Sequence, residues 1–170
     1  DGTDDYVLFD DNYDVSGNFS IEAWVKPESV SGERTILSKR DANNFATGYD
    51  LILTNNGLVS FNWNNSGTIN SSPYKITTNR WYHIGVVYNS GNYTLYIDGV
   101  LIKTGSGSAP TPNNMKCILG AMDQANNPPN KPIKSFRGWM DEVRFWNKAI
   151  STNQLRHMMN QQIMNNGGAV

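Results

Sequence analysis

Cysteine is almost absent from this chain: Cys117 stands alone, so no disulfide can form within it. Its neighbours Lys116, Ile118, Leu119 and Gly120 supply no base for a nucleophilic thiol, and Cys117 is read as a small buried hydrophobe. Histidine is nearly as scarce, with His83 and His157 only. Charged residues make up 17% of the chain, and 14 basic against 15 acidic side chains leave no marked excess of either sign. A nucleic acid or an anionic membrane surface is therefore not an expected partner, because each demands a concentrated basic patch. No apolar run approaches the roughly 20 residues that span a bilayer, so membrane insertion is not expected either. The chain opens at Asp1-Gly2-Thr3 without an initiator methionine. It reads as an excised or processed piece, and the lack of a targeting segment says nothing of its destination.

Asn, Ser, Thr, Gly, Tyr and Trp are what the chain has in quantity. Amides and hydroxyls pair with hydroxyls, and aromatic rings stack on apolar sugar faces, so this composition suits extracellular sandwiches and sugar-binding loops. The 170 residues suit one domain spanning 1–170, with a core large enough to remove about two-thirds of the unfolded surface from water.

Short alternating segments run from Tyr6 to Trp146. Phe19, Ile21, Ala23 and Val25 share one face, and Val59, Phe61 and Trp63 share another. Segments 34–38, 49–53, 100–103, 116–121 and 136–146 add further strands. Asn55-Asn56-Gly57 marks a tight hairpin, since an Asn-Gly step tolerates positive φ. Residues 81–88 and 93–97 form the clearest pair, joined by Asn89-Ser90-Gly91-Asn92, and Asp98-Gly99 turns the chain again. The expectation is an all-β, two-sheet antiparallel jelly-roll sandwich. Ser151-Thr152-Asn153-Gln154 fits a capping box, and Leu155, Met158 and Met159 follow helical spacing, so a short helix over 152–164 precedes a frayed tail at about 165–170.

Gly138 to Trp146 sets an Asp-Glu pair inside an alternating run. Simple alternation places Asp141 with Trp139, Val143 and Phe145, where a carboxylate is costly unless neutralised. Calcium fits that need, because it takes roughly 6–8 oxygens from carboxylates and carbonyls together. The alternative is a carboxylate capping a local turn, or paired with Arg137 or Arg144.

Several stretches, in order, resemble the laminin-G-like (LamG-like jellyroll, pentraxin-like) domains of the concanavalin A-like lectin/glucanase class. They include Asp4-Asp5-Tyr6-Val7, Phe19-Ser20-Ile21-Glu22-Ala23-Trp24-Val25, Arg80-Trp81-Tyr82-His83-Ile84, Leu95-Tyr96-Ile97-Asp98-Gly99 and Gly138 to Trp146. The resemblance implies a jelly roll on a secreted or cell-surface protein, joined to other domains of a larger polypeptide. It would bind a carbohydrate, or a cell-surface glycan or protein, without catalysis. The resemblance also implies a structural Ca2+ held by Asp141 and by the opening turn, with Asp1, Asp4 and Asp5 as candidate ligands. A ligand clamping that turn would tie down a terminus prone to fray.

Glycoside hydrolysis is not expected. Retaining chemistry needs two carboxyls about 5–5.5 Å apart facing the substrate, whereas alternation points Asp141 and Glu142 to opposite faces. His83 is read as structural and His157 as solvated. Trp24, Trp81 and Trp146 match the family's packing positions. Trp63, where a strand runs into Asn64-Asn65-Ser66-Gly67, is the candidate sugar platform, with Tyr74, Asn43, Asn44, Asp123, Gln124 and Asn127 as polar contacts from the loops.

Overall fold

A computed structural model describes residues 2, 3, 5–124 and 133–161. Within them the alternating segments become β1 (Val7–Phe9), β2 (Phe19–Pro27), β3 (Arg34–Asp41), β4 (Asn44–Leu53), β5 (Val59–Trp63) and β6 (Gly67–Asn70). They continue as β7 (Tyr82–Asn89), β8 (Asn92–Ile97), β9 (Val100–Ser106), β10 (Cys117–Leu119) and β11 (Gly138–Trp146), followed by the helix α1 (Thr152–Met158). A six-stranded sheet runs β1-β10-β3-β4-β5-β6 and a five-stranded sheet β11-β2-β7-β8-β9. The pairs within them are antiparallel. The two-sheet sandwich expected from the sequence is the fold.

Alternation decides which side chains fill the space between the sheets. Phe19, Ile21, Ala23 and Val25 of β2 meet Leu51, Leu53, Val59 and Phe61 of the facing sheet, all fully buried. Removing each large aliphatic or aromatic side chain from water is worth about 1.5–3 kcal/mol, which is what holds the two layers together. The turns behave as their residues require: Ser90 and Gly91, then Asp98 and Gly99, take positive φ in the two tight hairpins.

Trp63 belongs to this core, which corrects the expectation of an exposed platform. It is 3% exposed and stacks on Tyr93 at 3.9 Å between ring centroids. Gly67 and Gly107 close over it; a Cβ on either would come within 2.7 Å of the indole. The missing side chains of Gly67, at the start of β6, and of Gly107, just past β9, leave the space that the indole fills.

The tryptophans assigned to packing lie outside the space between the sheets, and Trp146 packs on a second apolar cluster of Val87, Tyr96, Ile150 and Leu155. Trp24 and Trp146 sit half-buried on the outer side of the five-stranded sheet, near α1, and Trp81 is 39% exposed. The helix is seated there by Leu155, whose methyl lies where a Cβ on Gly85 would fall, at 2.5 Å. Ser151 and Gln154 form the expected capping box. The helix ends at Met158 rather than 164; residues 162–164 and the tail at 165–170 lie outside the described residues.

A β-bulge interrupts β11. Asp141 pairs with Trp24 and Arg144 with Glu22, so Glu142 and Val143 together oppose Ala23 alone. Glu142 takes φ +52 at the bulge. The extra residue reverses the phase of the strand. Met140 before it and Val143 and Phe145 after it all pack on the core, while Asp141 and Arg144 both face outward.

Candidate ligand-binding site

Polar residues recur at every second position on the outer side of the six-stranded sheet. Asp50, Asn62 and Thr68 lie in one cross-strand row, opposite in sense to the buried Leu51, Phe61 and Ile69. Arg40, at the irregular end of β3, donates from its guanidinium to Asp50 Oδ2 at 3.0 Å and to the carbonyls of Phe45 and Asn64. Asn62 Nδ2 donates to Asp50 Oδ1 at 2.6 Å, and Asn62 Oδ1 accepts from Thr68 Oγ1 at 2.8 Å and Ser60 Oγ at 3.0 Å. Arg40 and Asp50 are almost fully buried. Burial raises the Asp50 carboxyl above the ordinary carboxylate range, against the pull of the Asn62 amide and the Arg40 guanidinium.

This network floors a cleft of about 400 Å³ walled by Phe45, Asn65, Ser66, Met122, Glu33 and Lys134. Phe45 is 39% exposed, with the Arg40 guanidinium 4.6 Å and the Lys134 ammonium 5.9 Å from its ring centre. Lys134 also pairs with Glu33 at 2.9 Å. The cleft thus offers one accessible aromatic face surrounded by fixed donors and acceptors. Ser38 Oγ and Arg40 Nε, beside the network, are buried with no hydrogen-bond partner among the described residues.

The nominated loop residues divide. Gln124 Nε2 donates to Asn43 Oδ1 at 3.5 Å, and Asp123 joins the tip of β3 by accepting from Ala42 N at 2.9 Å. Asn43, Asn44, Asp123 and Gln124 therefore gather near the rim, next in sequence to Phe45 and Met122. Asp123 is 7% exposed, more a support than a contact. Tyr74 is exposed in the loop after β6 and does not line the cleft. Asn127 lies outside the described residues. Arg40, Phe45, Asp50, Asn62 and Thr68 were not singled out from the sequence. The period-two polar positions 60 and 62 in β5, with Asp50 between apolar residues in β4, are the signal that points to them.

The Asp141 argument fails in its first step. The bulge leaves Asp141 exposed, accepting a hydrogen bond from Glu142 N at 2.8 Å, so no buried carboxylate demands a cation. The same bulge brings Asp141 and Glu142 to one cleft instead of opposite faces. Asp1 and Asp4 lie outside the described residues. The Asp5 carbonyl lies beside Gly120, and Asp141 faces outward from β11. Among the described residues no three His, Cys, Asp or Glu side chains are grouped to hold a metal.

A cation does pin the opening segment, and the protein supplies it. Lys39 is wholly buried, with its ammonium donating to Asp11 Oδ1, Asn113 O at 3.2 Å and Met115 O at 2.6 Å, and lying 3.5 Å from Asp14. Buried charges of this kind persist only when ringed by acceptors. On the other sheet, Glu22 is wholly buried between His83 (3.3 Å), Arg144 (3.6 Å) and the Trp146 indole N–H (3.1 Å). Arg144 also donates to carbonyls at the end of α1, and Trp24 Nε1 donates to Met159 O at 3.0 Å. His83 is wholly buried, and His157 is exposed on α1. Cys117 is wholly buried, and burial pushes its thiol up to about 12.

The two-sheet antiparallel sandwich, with a polar, aromatic-edged cleft on one outer face, is a concanavalin A-like jelly roll. The chain belongs to the laminin-G family of the concanavalin A-like lectin/glucanases superfamily, whose model matches residues 1–156. It is 25% identical over 158 residues to the rat (Rattus norvegicus) sushi, von Willebrand factor type A, EGF and pentraxin domain-containing protein 1, covering 90% of this chain but 4% of that protein. The chain thus spans about one twenty-fifth of the length of the curated relatives it matches. Among solved structures it is similar to domain 4 of AbnA, a GH43 extracellular arabinanase from Geobacillus stearothermophilus, in complex with arabinotriose. That match has a TM-score of 0.67 at 22% identity and covers 90% of this chain and 71% of the other. It is also similar to the Ruminococcus gnavus IT-sialidase CBM40 bound to α2,3-sialyllactose, with a TM-score of 0.72, 16% identity and coverage of 91% and 92%. A SAP-like pentraxin from Limulus polyphemus matches with a TM-score of 0.63 and 16% identity, covering 92% of this chain and 82% of that one. No helix among the described residues is long and apolar enough to cross a membrane.

Proposed function

We propose that this domain is a non-catalytic carbohydrate-binding or adhesion module of a secreted or cell-surface protein, and that a glycan sits in the cleft over β3 to β6. The observation that carries the reading is the preorganised row of Arg40, Asp50, Asn62 and Thr68 beside the exposed ring of Phe45. Side chains already held by one another lose little freedom on binding, and a ring with flanking donors matches the apolar face and hydroxyl edge of a sugar. The likeness to sandwiches solved with arabinotriose and sialyllactose supports the class of ligand. Catalysis is not part of the proposal. Asp50 is tied to Arg40 and Asn62, Glu33 to Lys134 and Glu142 to Arg144, so these carboxylates are committed to neighbours.

Glycan-array screening followed by calorimetry tests it. Phe45→Ala should weaken the selected glycan at least tenfold while leaving the thermal melt unchanged; a screen empty of ligands, or full affinity in Phe45→Ala, refutes the cleft assignment. A second reading, a protein-interaction domain within a long polypeptide, draws support from the small fraction of the curated relatives that the chain matches. Calcium at the opening turn, through Asp1, Asp4 or Asp5, rests on family resemblance. It predicts a higher melting temperature in Ca2+ than in chelator, by about 2.7 kcal/mol at a hundredfold excess over Kd, and equal melts would remove it.

A further inference from the structure

The outer side of the five-stranded sheet carries a second cleft, about 460 Å³, lined by Trp24, Trp81, Asp141, Glu142, Met159, Asn160 and Gln161. Two large indoles stand in water around it: Trp81 is 39% exposed and Trp139 48%. Trp139 pairs across the strands with Lys26, whose ammonium lies 4.6 Å from the ring centre, and Asp141 in the next outward row pairs with Trp24. Trp24 is fixed by its indole donation to Met159 O, so the floor of the cleft is rigid where the helix meets the sheet.

The chemistry of this surface narrows its occupant. Exposed aromatic side chains concentrated at one place mark a contact site, whereas scattered ones are ordinary. The charges nearby balance, with Lys26 and Arg144 against Asp141 and Glu142, so neither a strongly acidic nor a strongly basic partner is favoured. Planar rings bordered by a carboxylate and amides offer stacking surfaces and hydroxyl partners together. A neutral pyranose presents the complement, C–H groups on its face and hydroxyls around its edge. The cleft volume lies within the range typical of small-ligand sites.

We infer that this cleft is a second carbohydrate site, taking a neutral oligosaccharide with one sugar ring stacked on Trp81 and hydroxyls accepted by Asp141. It rests on the reading of the domain as a glycan-binding module but uses the opposite sheet from Phe45 and Arg40. The test is calorimetry and tryptophan fluorescence with cellohexaose, xylohexaose and mannohexaose on the intact chain and on Trp81→Ala, Trp81→Tyr, Asp141→Asn and Phe45→Ala, each checked by its melt. Binding of one of the three should shift the emission and weaken at least tenfold in Trp81→Ala, be partly restored in Trp81→Tyr, fall severalfold in Asp141→Asn and persist in Phe45→Ala. Affinity lost in Phe45→Ala but kept in Trp81→Ala overturns this site and leaves the first standing. Loss in Trp81→Ala alone establishes this site, whatever the fate of the other. No binding of any of the three hexaoses overturns it.

Discussion

Replacing Lys39 by Met keeps the length of the side chain and removes its charge. The ammonium leaves behind two backbone carbonyls, Asn113 O and Met115 O, and two carboxylates. Losing its donor costs each carbonyl about 1–3 kcal/mol where water cannot replace it. The carboxylates are more forgiving: Asp11 and Asp14 are 48% and 39% exposed and can hydrate, so their Coulombic loss is on the order of 1 kcal/mol. Burial of the thioether in place of an ammonium returns part of this. The expected net loss is about 3 kcal/mol, a large share of the roughly 5–15 kcal/mol that keeps such a domain folded. For a chain of this size that corresponds to a fall in Tm of about 6–12 °C. Urea unfolding of wild type, Lys39→Met, Asp11→Asn and the double variant would give the loss and the coupling between the partners. The double variant should lose clearly less than the sum of the singles. A Lys39→Met protein within about 0.5 kcal/mol of wild type would refute the claim that this ammonium holds residues 10–18 and 111–116 against β3.

Two further outcomes follow from other buried groups. Cys117 should resist a thiol reagent at pH 8 in the folded protein and react once urea unfolds it, because burial keeps the thiol protonated to about 12. The raised folded value means stability is fully present below the ordinary thiol pKa of about 8.5 and declines above it, by up to about 1.4 kcal/mol per pH unit, a slope that Cys117→Ala should remove. Gly85→Val should unseat α1, since a Cβ there already lies 2.5 Å from the Leu155 methyl. Overpacking of this kind costs about 1–3 kcal/mol, and faster amide exchange confined to α1 and Ile150 would distinguish a lifted helix from global loss.

Much of the fold was legible because its causes are local. The alternation in β2 and β5, the Asn-Gly and Asp-Gly turns and the Ser151–Gln154 box each specify their own conformation within a few residues. The misreadings share a different origin. Trp63 looks like a strand-end platform until Gly67 and Gly107 are seen to close over it, and Gly107, just past β9, is 44 residues away in a segment that periodicity cannot bring to Trp63. Asp141 looks buried only if β11 alternates without interruption, and its bulge is set by pairing with β2. The Arg40–Asp50–Asn62 row joins three strands, so no single segment displays it. β6 was missed because Ile69 is its one buried apolar residue, too little for a recognisable pattern.

The irregularity at Glu142 gives the last strand two independent addresses. Residues 138–141 answer to the solvent-facing indoles, and residues 144–146 answer to the carboxylate beneath the helix. Sequence drift on one side of the hinge can retune a contact surface while the anchorage of the helix stays untouched. Excising that single residue would rotate the upstream half inside out, sending Asp141 toward the hydrocarbon interior and Met140 into water.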